Sequence, residues 1–296
     1  MAKSSIPVDL LNPGQVFACL GILEVADMLL ADPTASFDWT DGWPTRFHIA
    51  TADDVGPVQR VLRFLEEAQV VTRAPAQSRN VQRWKASWGA VPAVDRPGSP
   101  FPFPDPDSPA TLPVVLRDDD DNEVALDYWG DATRRDNVKF WAGAAGYPGA
   151  AIVSNALEIV RGKTSQYARD PFALSGPQSS SFRFDWRRDY IPVQDGFSPN
   201  RHGKSIQMVG FPLVEILAAI GVTNARPSRM TKLKYRYGVL GVGRGDLLLD
   251  PIFHRIALGG ESAPLPGRPF RRFLMNLDWP GQEDQARCIT EVDEEE

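Results

Sequence analysis

The sequence predicts an α+β fold in which two apolar helices pack on antiparallel sheet. Two segments, one beginning at Pro13 and one at Pro212, carry apolar side chains around almost their whole circumference, which is typical of buried helices. Several short segments instead alternate apolar and polar residues, the pattern of half-buried strands. The sheet is therefore expected to form from hairpins around two central helices.

The first apolar helix has a well-specified start. Asn12 can cap the free backbone N–H groups, and Pro13 suits the first helical position because its missing N–H leaves no bond unmade. Gly21, in the middle of the helix, is unfavourable there by roughly 1 kcal/mol relative to alanine, so we expect another backbone to pass close to it.

Glu24 and Asp27 are the only strongly polar residues between positions 16 and 30. Because they are three residues apart, they share one helix face, which we interpret as the solvated stripe of a core helix. An acid–base or metal-binding pair is the alternative, but no histidine-rich motif or third carboxylate accompanies them.

The second apolar helix is expected over residues 211–221. Its segment 218–222 (Ala-Ala-Ile-Gly-Val) is similar to segment 18–22 of the first helix (Ala-Cys-Leu-Gly-Ile). The similarity suggests two related helices, each with a small residue at a tight crossing, in equivalent places of two halves of the fold.

The remaining elements follow from periodicity and turn residues. In chain order we expect a hairpin at 36–49 around Asp41 and Gly42; a helix from 55 to 68 capped by Thr51 or Asp53; apolar strands at 114–116 and 124–126; a helix at 150–161 closed by Gly162; a strand with Phe182, Phe184 and Trp186 on one face; and a strand at 232–237. We divide the chain into an α+β region 1–95, a proline-rich linker 96–113, an α+β region 114–277 and an acidic tail 278–296.

Composition excludes several classes of protein. The 296 residues are 43% hydrophobic and 24% charged, typical of a globular chain, and no run reaches the length of a membrane span or a signal sequence. We therefore expect a cytoplasmic protein that does not bind membranes. The two cysteines, Cys19 and Cys288, indicate neither a disulfide framework nor a zinc site, and we expect no metal and no cofactor.

Charge is distributed unevenly along the chain. The net charge of −6 is dominated by the tail, where residues 278–296 contain eight acids and one arginine. Residues 226–272 instead contain ten Lys or Arg against three acids. That segment is basic enough to favour a nucleic-acid partner despite the acidic total.

Cations interleaved with aromatic residues define the candidate nucleic-acid-binding positions. In the 232–237 segment, basic side chains alternate with apolar or aromatic ones, so one strand face is expected to be entirely basic. No catalytic constellation accompanies these residues. The candidates are Lys139, Trp141, Arg187, Arg188, Arg201, His202, Lys204, Arg229, Lys232, Lys234 and Arg236.

Four segments together resemble a known family, the third of the Csb group of subtype-specific proteins in type I-U (also I-G) CRISPR systems. The segments are 12–27, 139–143, 184–187 running to 196–200, and 211–221 with Ala225, Arg226 and Pro227. The resemblance implies a small, large-subunit-like, non-catalytic component of the RNA-guided Cascade complex of antiviral defence. Its implied partners are other Cascade subunits, guide RNA and target DNA, and a ferredoxin-like (RAMP) core in two halves is the finer form of the fold prediction.

Two other functions remain open at this point. One is an RNA-processing endoribonuclease that uses His202 or His48 as a general base. The other is a protein–protein adaptor without nucleic-acid contact. The acidic tail is expected either to repel nucleic acid locally or to dock onto a basic neighbour.

Overall fold

The structure is a computed structural model. It describes residues 1–72, 114–126, 149–178, 181–187, 208–231, 233–243, 247–259, 263–278 and 288–295. The predicted linker 96–113 lies outside these residues.

The described part of the chain contains five α-helices and twelve strands, which confirms the α+β fold class. The helices are α1 (Pro13–Leu29), α2 (Pro57–Glu67), α3 (Gly149–Val160), α4 (Pro212–Asn224) and α5 (Pro251–Leu258). The strands are β1 (Ala2–Pro7), β2 (Thr34–Asp38), β3 (Arg46–Thr51), β4 (Gln69–Thr72), β5 (Val114–Arg117), β6 (Glu123–Leu126), β7 (Gly176–Pro177), β8 (Val209–Gly210), β9 (Ser228–Thr231), β10 (Lys234–Leu240), β11 (Phe270–Asp278) and β12 (Cys288–Glu295).

All strand pairs within the described sheets are antiparallel. An N-terminal sheet has the order β1-β3-β2, a C-terminal sheet has the order β12-β11-β10-β9, and two smaller sheets are formed by β4-β5-β6 and β7-β8. The apolar strands predicted at 114–116 and 124–126 pair with each other as β5 and β6. The predicted hairpin appears as β2–β3, and its Gly42 has a φ of 82°. The predicted Asp-Gly turn is thus confirmed.

The element order β-α-β-β-α occurs twice. It runs through β1-α1-β2-β3-α2 and again through β8-α4-β9-β10-α5, and all four of these helices begin with proline. This is the order in which a ferredoxin-like unit begins. The strand that would complete the first unit, β4, pairs with β5 instead of joining the β1-β3-β2 sheet, so the ferredoxin-like form of the prediction stays a prediction.

The two apolar helices α1 and α4 pack directly against each other at the centre of the fold. A Cβ atom placed on Gly21 would lie 1.9 Å from the backbone oxygen of Leu217, and one on Gly221 would lie 2.1 Å from that of Phe17. The tight crossing predicted at these glycines is confirmed, with each helix serving as the neighbour of the other.

The larger of two hydrophobic core clusters in the described residues joins the predicted N-terminal and C-terminal regions. This cluster of buried side chains runs from Ile6 to Ile289 and includes residues of α1, α2, α3 and α4 together with strands of both larger sheets. The regions 1–95 and 114–277 therefore share their core.

The predicted strand around residues 182–186 is wrong. Phe182 and Phe184 are buried as expected, but residues 181–187 form an irregular segment in which Arg183 has a φ of 67°. The backbone N–H groups of Phe184 and Asp185 donate to the Glu215 carboxylate at 3.2 and 3.1 Å, so these donors are not available to a strand ladder. We call residues 184–187 the interhelical turn, because they lie against the starts of both α1 and α4.

Asn12 caps α1, as predicted, and also binds the interhelical turn. Its side-chain oxygen accepts from the backbone N–H of Gln15, and its amide nitrogen donates to Asp185 Oδ1 at 2.9 Å. A Cβ atom on Gly14 would lie 2.6 Å from the backbone oxygen of Phe184. The cap therefore fixes the interhelical turn as well as the helix.

Two smaller sequence predictions are corrected. Neither Thr51 nor Asp53 caps α2: its cap position is Gly56, and the Asp53 carboxylate accepts from the backbone N–H of Ala31 instead. Glu24 is not simply part of a solvated stripe, because both its oxygens accept from the Arg255 guanidinium at 2.6 Å and its side chain is only 8% exposed. Burial raises the pKa of Glu24, and the Arg255 hydrogen bonds oppose that shift.

We predict that Gly21→Ala lowers the free energy of unfolding by about 3 kcal/mol or more, because the new methyl group would force two backbones apart. Urea unfolding followed by circular dichroism measures this. The double variant with Gly221→Ala should be less destabilised than the sum of the single variants, because the first substitution already separates the helices.

Gly56→Ala provides the matched control. The nearest atom to its added methyl group would be Ser4 Oγ at 3.7 Å, so no atoms would be forced apart. The only loss is that alanine caps a helix less well than glycine, and the free energy of unfolding should therefore fall by no more than about 1 kcal/mol. Equal unfolding midpoints for Gly21→Ala and the wild-type protein would contradict the close approach.

Candidate nucleic-acid interface

The outer face of the C-terminal sheet carries cations on adjacent strands. Along β10, Tyr235 and Tyr237 are buried beneath the sheet, while Lys234 is exposed and Arg236 half-buried on the other face. The alternation predicted for this segment is confirmed within residues 234–237. Arg272 of β11 lies opposite Gly238, so its side chain points to the same side as Lys234 and Arg236. We call Lys234, Arg236 and Arg272 the cationic face.

Arg229 does not belong to the cationic face. It lies opposite Tyr235 on the edge strand β9, and the register shifts between Lys234 and Tyr235. Residues directly opposite in a ladder point to the same side of a sheet. Arg229 is therefore exposed on the side of the sheet away from Lys234 and Arg236.

The cationic face is accompanied by acids of the chain's own C-terminal segment. Strand β12 pairs with β11, and its register places Asp293 opposite Leu274 and Glu295 opposite Arg272, on the outer side of the sheet. The Arg236 guanidinium donates to both oxygens of Glu295, through Nε at 2.5 Å and a terminal nitrogen at 2.7 Å. These hydrogen bonds lower the pKa of Glu295 and raise that of Arg236.

A second ion pair attaches β12 on the other side of the sheet. Arg271 donates to both oxygens of Glu294, at 2.6 and 2.5 Å, and its guanidinium lies 5.4 Å from the ring centroid of Phe273 and 5.6 Å from that of Trp39. The hydrogen bonds from Arg271 lower the pKa of Glu294. Part of the predicted acidic tail thus docks onto basic residues of its own chain.

Arg187, a predicted phosphate ligand, is engaged within the interhelical turn. Its guanidinium donates to the Asp185 carboxylate at 2.6 Å and to the backbone oxygen of Phe172 at 2.9 Å, and it stacks on the Phe211 ring at 3.8 Å. Asp185 is fully buried. Arg187 therefore balances a buried carboxylate.

Sequence reasoning missed the two acids of this cluster, Asp185 and Glu215. Both are buried, with residue exposures of 0% and 1%. A sequence signal existed for Glu215, because a lone carboxylate in an otherwise apolar helix must find donors when it is buried.

The other predicted contact residues lie outside the described part of the chain. They are Lys139, Trp141, Arg188, Arg201, His202, Lys204 and Lys232.

His48 lies at a cleft of about 500 Å³ on the N-terminal sheet. Its Nε2 is 3.4 Å from Asp38 Oδ2, and Ser5 lies opposite it on β1. Hydrogen bonds from Thr40, with a smaller contribution from His48, lower the pKa of Asp38. A half-exposed imidazole beside a carboxylate can accept a proton, which is what a general base requires.

His254 is a core residue. Its Nε2 lies 2.9 Å from the backbone oxygen of Ala35, and its ring contacts Phe37 and Phe47 by their edges. Its Nδ1 has no hydrogen-bond partner among the described residues. Burial lowers the pKa of His254 to about 4.

Over the described ranges, no group of three or more His, Cys, Asp or Glu residues is arranged to hold a metal ion. Neither Cys19 nor Cys288 forms a disulfide. In the same ranges, no helix combines the length and apolar character that a bilayer span requires.

No protein-family model, curated protein or solved structure matches this chain.

We predict that stability falls by about 2 kcal/mol between about pH 7 and pH 5 because of His254. Its folded pKa of about 4 is below the ordinary 6.5, so only the unfolded chain binds a proton in this range. The neutral, buried His254 therefore contributes its full share of the free energy of unfolding above pH 6.5, and that share is lost as the pH falls from 6.5 toward 4. Urea unfolding at the two pH values measures it.

His254→Gln should remove most of this pH dependence, since a glutamine amide can still donate toward Ala35 without titrating. His48→Gln is the control and should retain it. Equal pH dependence in the His254→Gln and wild-type proteins would contradict the assignment.

Proposed function

We propose that this chain is a non-catalytic subunit of a type I CRISPR RNA-guided interference (Cascade) complex that holds guide RNA or target DNA by its backbone. The assignment to this complex is based on the resemblance of four sequence segments to the third of the Csb group of proteins. The observation that carries the nucleic-acid contact is the cationic face, where Lys234, Arg236 and Arg272 project from adjacent strands of one sheet.

The chemistry of this face suits phosphate groups. Arginine presents a planar fork of donors that matches two phosphate oxygens, and lysine adds a point charge. In RNA-guided complexes, base pairing reads the target sequence, and protein subunits hold the backbones. Cations on a rigid sheet are sufficient for that task because backbone contacts need no sequence information.

Purification of the tagged protein from its own host at moderate salt tests the complex directly. Stoichiometric partner proteins together with a uniform set of short repeat-spacer RNAs would support the proposal. A lone protein free of RNA would overturn it and favour the adaptor function.

Simultaneous replacement of Lys232, Lys234 and Arg236 by alanine should weaken nucleic-acid binding and flatten its salt dependence. Each lost phosphate contact lowers the slope of log K against log salt by about 0.7 to 0.9. Fluorescence anisotropy with a labelled 20-nucleotide RNA and a 20-base-pair DNA, across a salt series, measures both quantities.

The control variant replaces three cations outside the C-terminal sheet, Lys3, Arg63 and Lys163, all of which are exposed. It changes the net charge by the same amount, so only a position-specific effect distinguishes the two. If affinity and salt slope are the same in both variants, the assignment to this sheet fails.

The His48–Asp38 pair favours one further candidate function, cleavage of RNA by general base catalysis. His48→Ala should abolish metal-independent cleavage of a repeat-hairpin RNA if this is the activity, whereas His254→Ala should alter stability only. Absence of cleavage by the wild-type protein would exclude this candidate.

A further inference from the structure

We infer that strand β12 is a built-in competitor for nucleic acid: its carboxylates occupy the cationic face and must be displaced before phosphates bind there. The inference rests on the proposed function and adds its regulation. In the bound state, a nucleic-acid backbone lies on the cationic face. In the absence of nucleic acid, the carboxylates of β12 lie there instead.

The geometry of the ion pairs supports the competition. Arg236 meets Glu295 with two N–H···O bonds, 2.5 and 2.7 Å long. On the opposite side of the sheet, Arg271 attaches β12 through a similar two-bond pair with Glu294. This is the arrangement in which arginine binds phosphate. A carboxylate in that position therefore uses the donors that a phosphate would need.

The charge pattern of β12 also resembles that of a nucleic-acid strand. Residues 291–295 read Glu-Val-Asp-Glu-Glu, and alternate residues of a strand recur about 7 Å apart on one face. Glu291, Asp293 and Glu295 thus form a row of negative charges along the outer edge of the cationic face. Asn276 donates toward both Glu291 and Asp293, at 3.5 and 3.3 Å.

β12 is attached loosely enough to be displaced. It is the edge strand of its sheet, and among its eight residues it buries Ile289 fully and Cys288, Val292 and Glu295 in part. Most of its other side chains, including Thr290, Glu291, Asp293 and Glu294, are exposed. Salt bridges at this exposure contribute little to stability, so the pairing with β11 is sustained mainly by main-chain hydrogen bonds.

Four substitutions test the inference without shortening the chain: Glu291→Gln, Asp293→Asn, Glu294→Gln and Glu295→Gln. The quadruple variant should bind the labelled 20-nucleotide RNA about tenfold more tightly at about 0.1 M salt. Its salt slope should steepen by about 1.5, which corresponds to two additional bound phosphates.

The control variant removes four exposed acids outside the C-terminal sheet: Asp54→Asn, Asp119→Asn, Asp120→Asn and Glu158→Gln. It alters the net charge identically, so a general effect of charge would appear in both variants. A gain in affinity that is confined to the β12 variant, and reversed by adding the alanine substitutions at Lys232, Lys234 and Arg236, supports the competition.

Displacement of β12 can be measured separately, through the reactivity of the Cys288 thiol. Cys288 is the first residue of β12, whereas Cys19 is fully buried within α1. Burial also raises the pKa of Cys19, which keeps its thiol protonated and unreactive. Alkylation of Cys288 by iodoacetamide should accelerate severalfold when the RNA is added to the wild-type protein.

The outcomes separate the two proposals. If the wild-type protein binds RNA through Lys232, Lys234 and Arg236 but the β12 variant binds no more tightly and Cys288 reacts no faster, the competition is overturned and the proposed function stands. If neither protein binds nucleic acid, both fail.

Discussion

The crossing of α1 and α4 at Gly21 and Gly221 is the constraint on which the rest of the structure depends. The two backbones approach so closely that a single methyl group on either glycine would overlap a carbonyl oxygen of the other helix. Both helices are buried on nearly all sides, because both larger sheets contribute to the main core cluster around them. The two β-α-β-β-α segments are therefore held together through their first helices.

Because α1 and α4 pack so closely along their lengths, the hydrogen bonds that join them to the interhelical turn are made at their N-termini. There the Asn12 amide donates to the Asp185 carboxylate, and the Glu215 carboxylate accepts from the backbone N–H groups of Phe184 and Asp185. A buried carboxylate is tolerated only when it is paired and hydrogen-bonded, and Arg187 provides the pairing charge. An arginine that the sequence suggests as a phosphate ligand is thus explained by the packing of two helices.

Local signals in the sequence were sufficient for helices α1 to α4, the Asn12 cap, the tight crossing and the β2–β3 hairpin, whereas helix α5 was not predicted. They were not sufficient at the interhelical turn, where alternation predicts a strand but Glu215, about thirty residues away, binds the backbone donors. The candidate site shows the same division. The alternation of Lys234, Tyr235, Arg236 and Tyr237 is local and was predictable, whereas the pairing of Arg236 with Glu295 spans 59 residues and has no local signature.

Exposure decides which of these ion pairs is permanent. Asp185 is 0% exposed beside Arg187, so breaking that pair would leave a charge buried in the core. The Glu294 side chain is 42% exposed beside Arg271, and that of Glu295 is 26% exposed beside Arg236, so water and ions reach both acids. A polyanion can replace a carboxylate only where solvent already competes for the same donors. The acidic total of −6 therefore does not argue against a nucleic-acid partner, because Glu295, the acid that pairs with the cationic face, is open to water and ions.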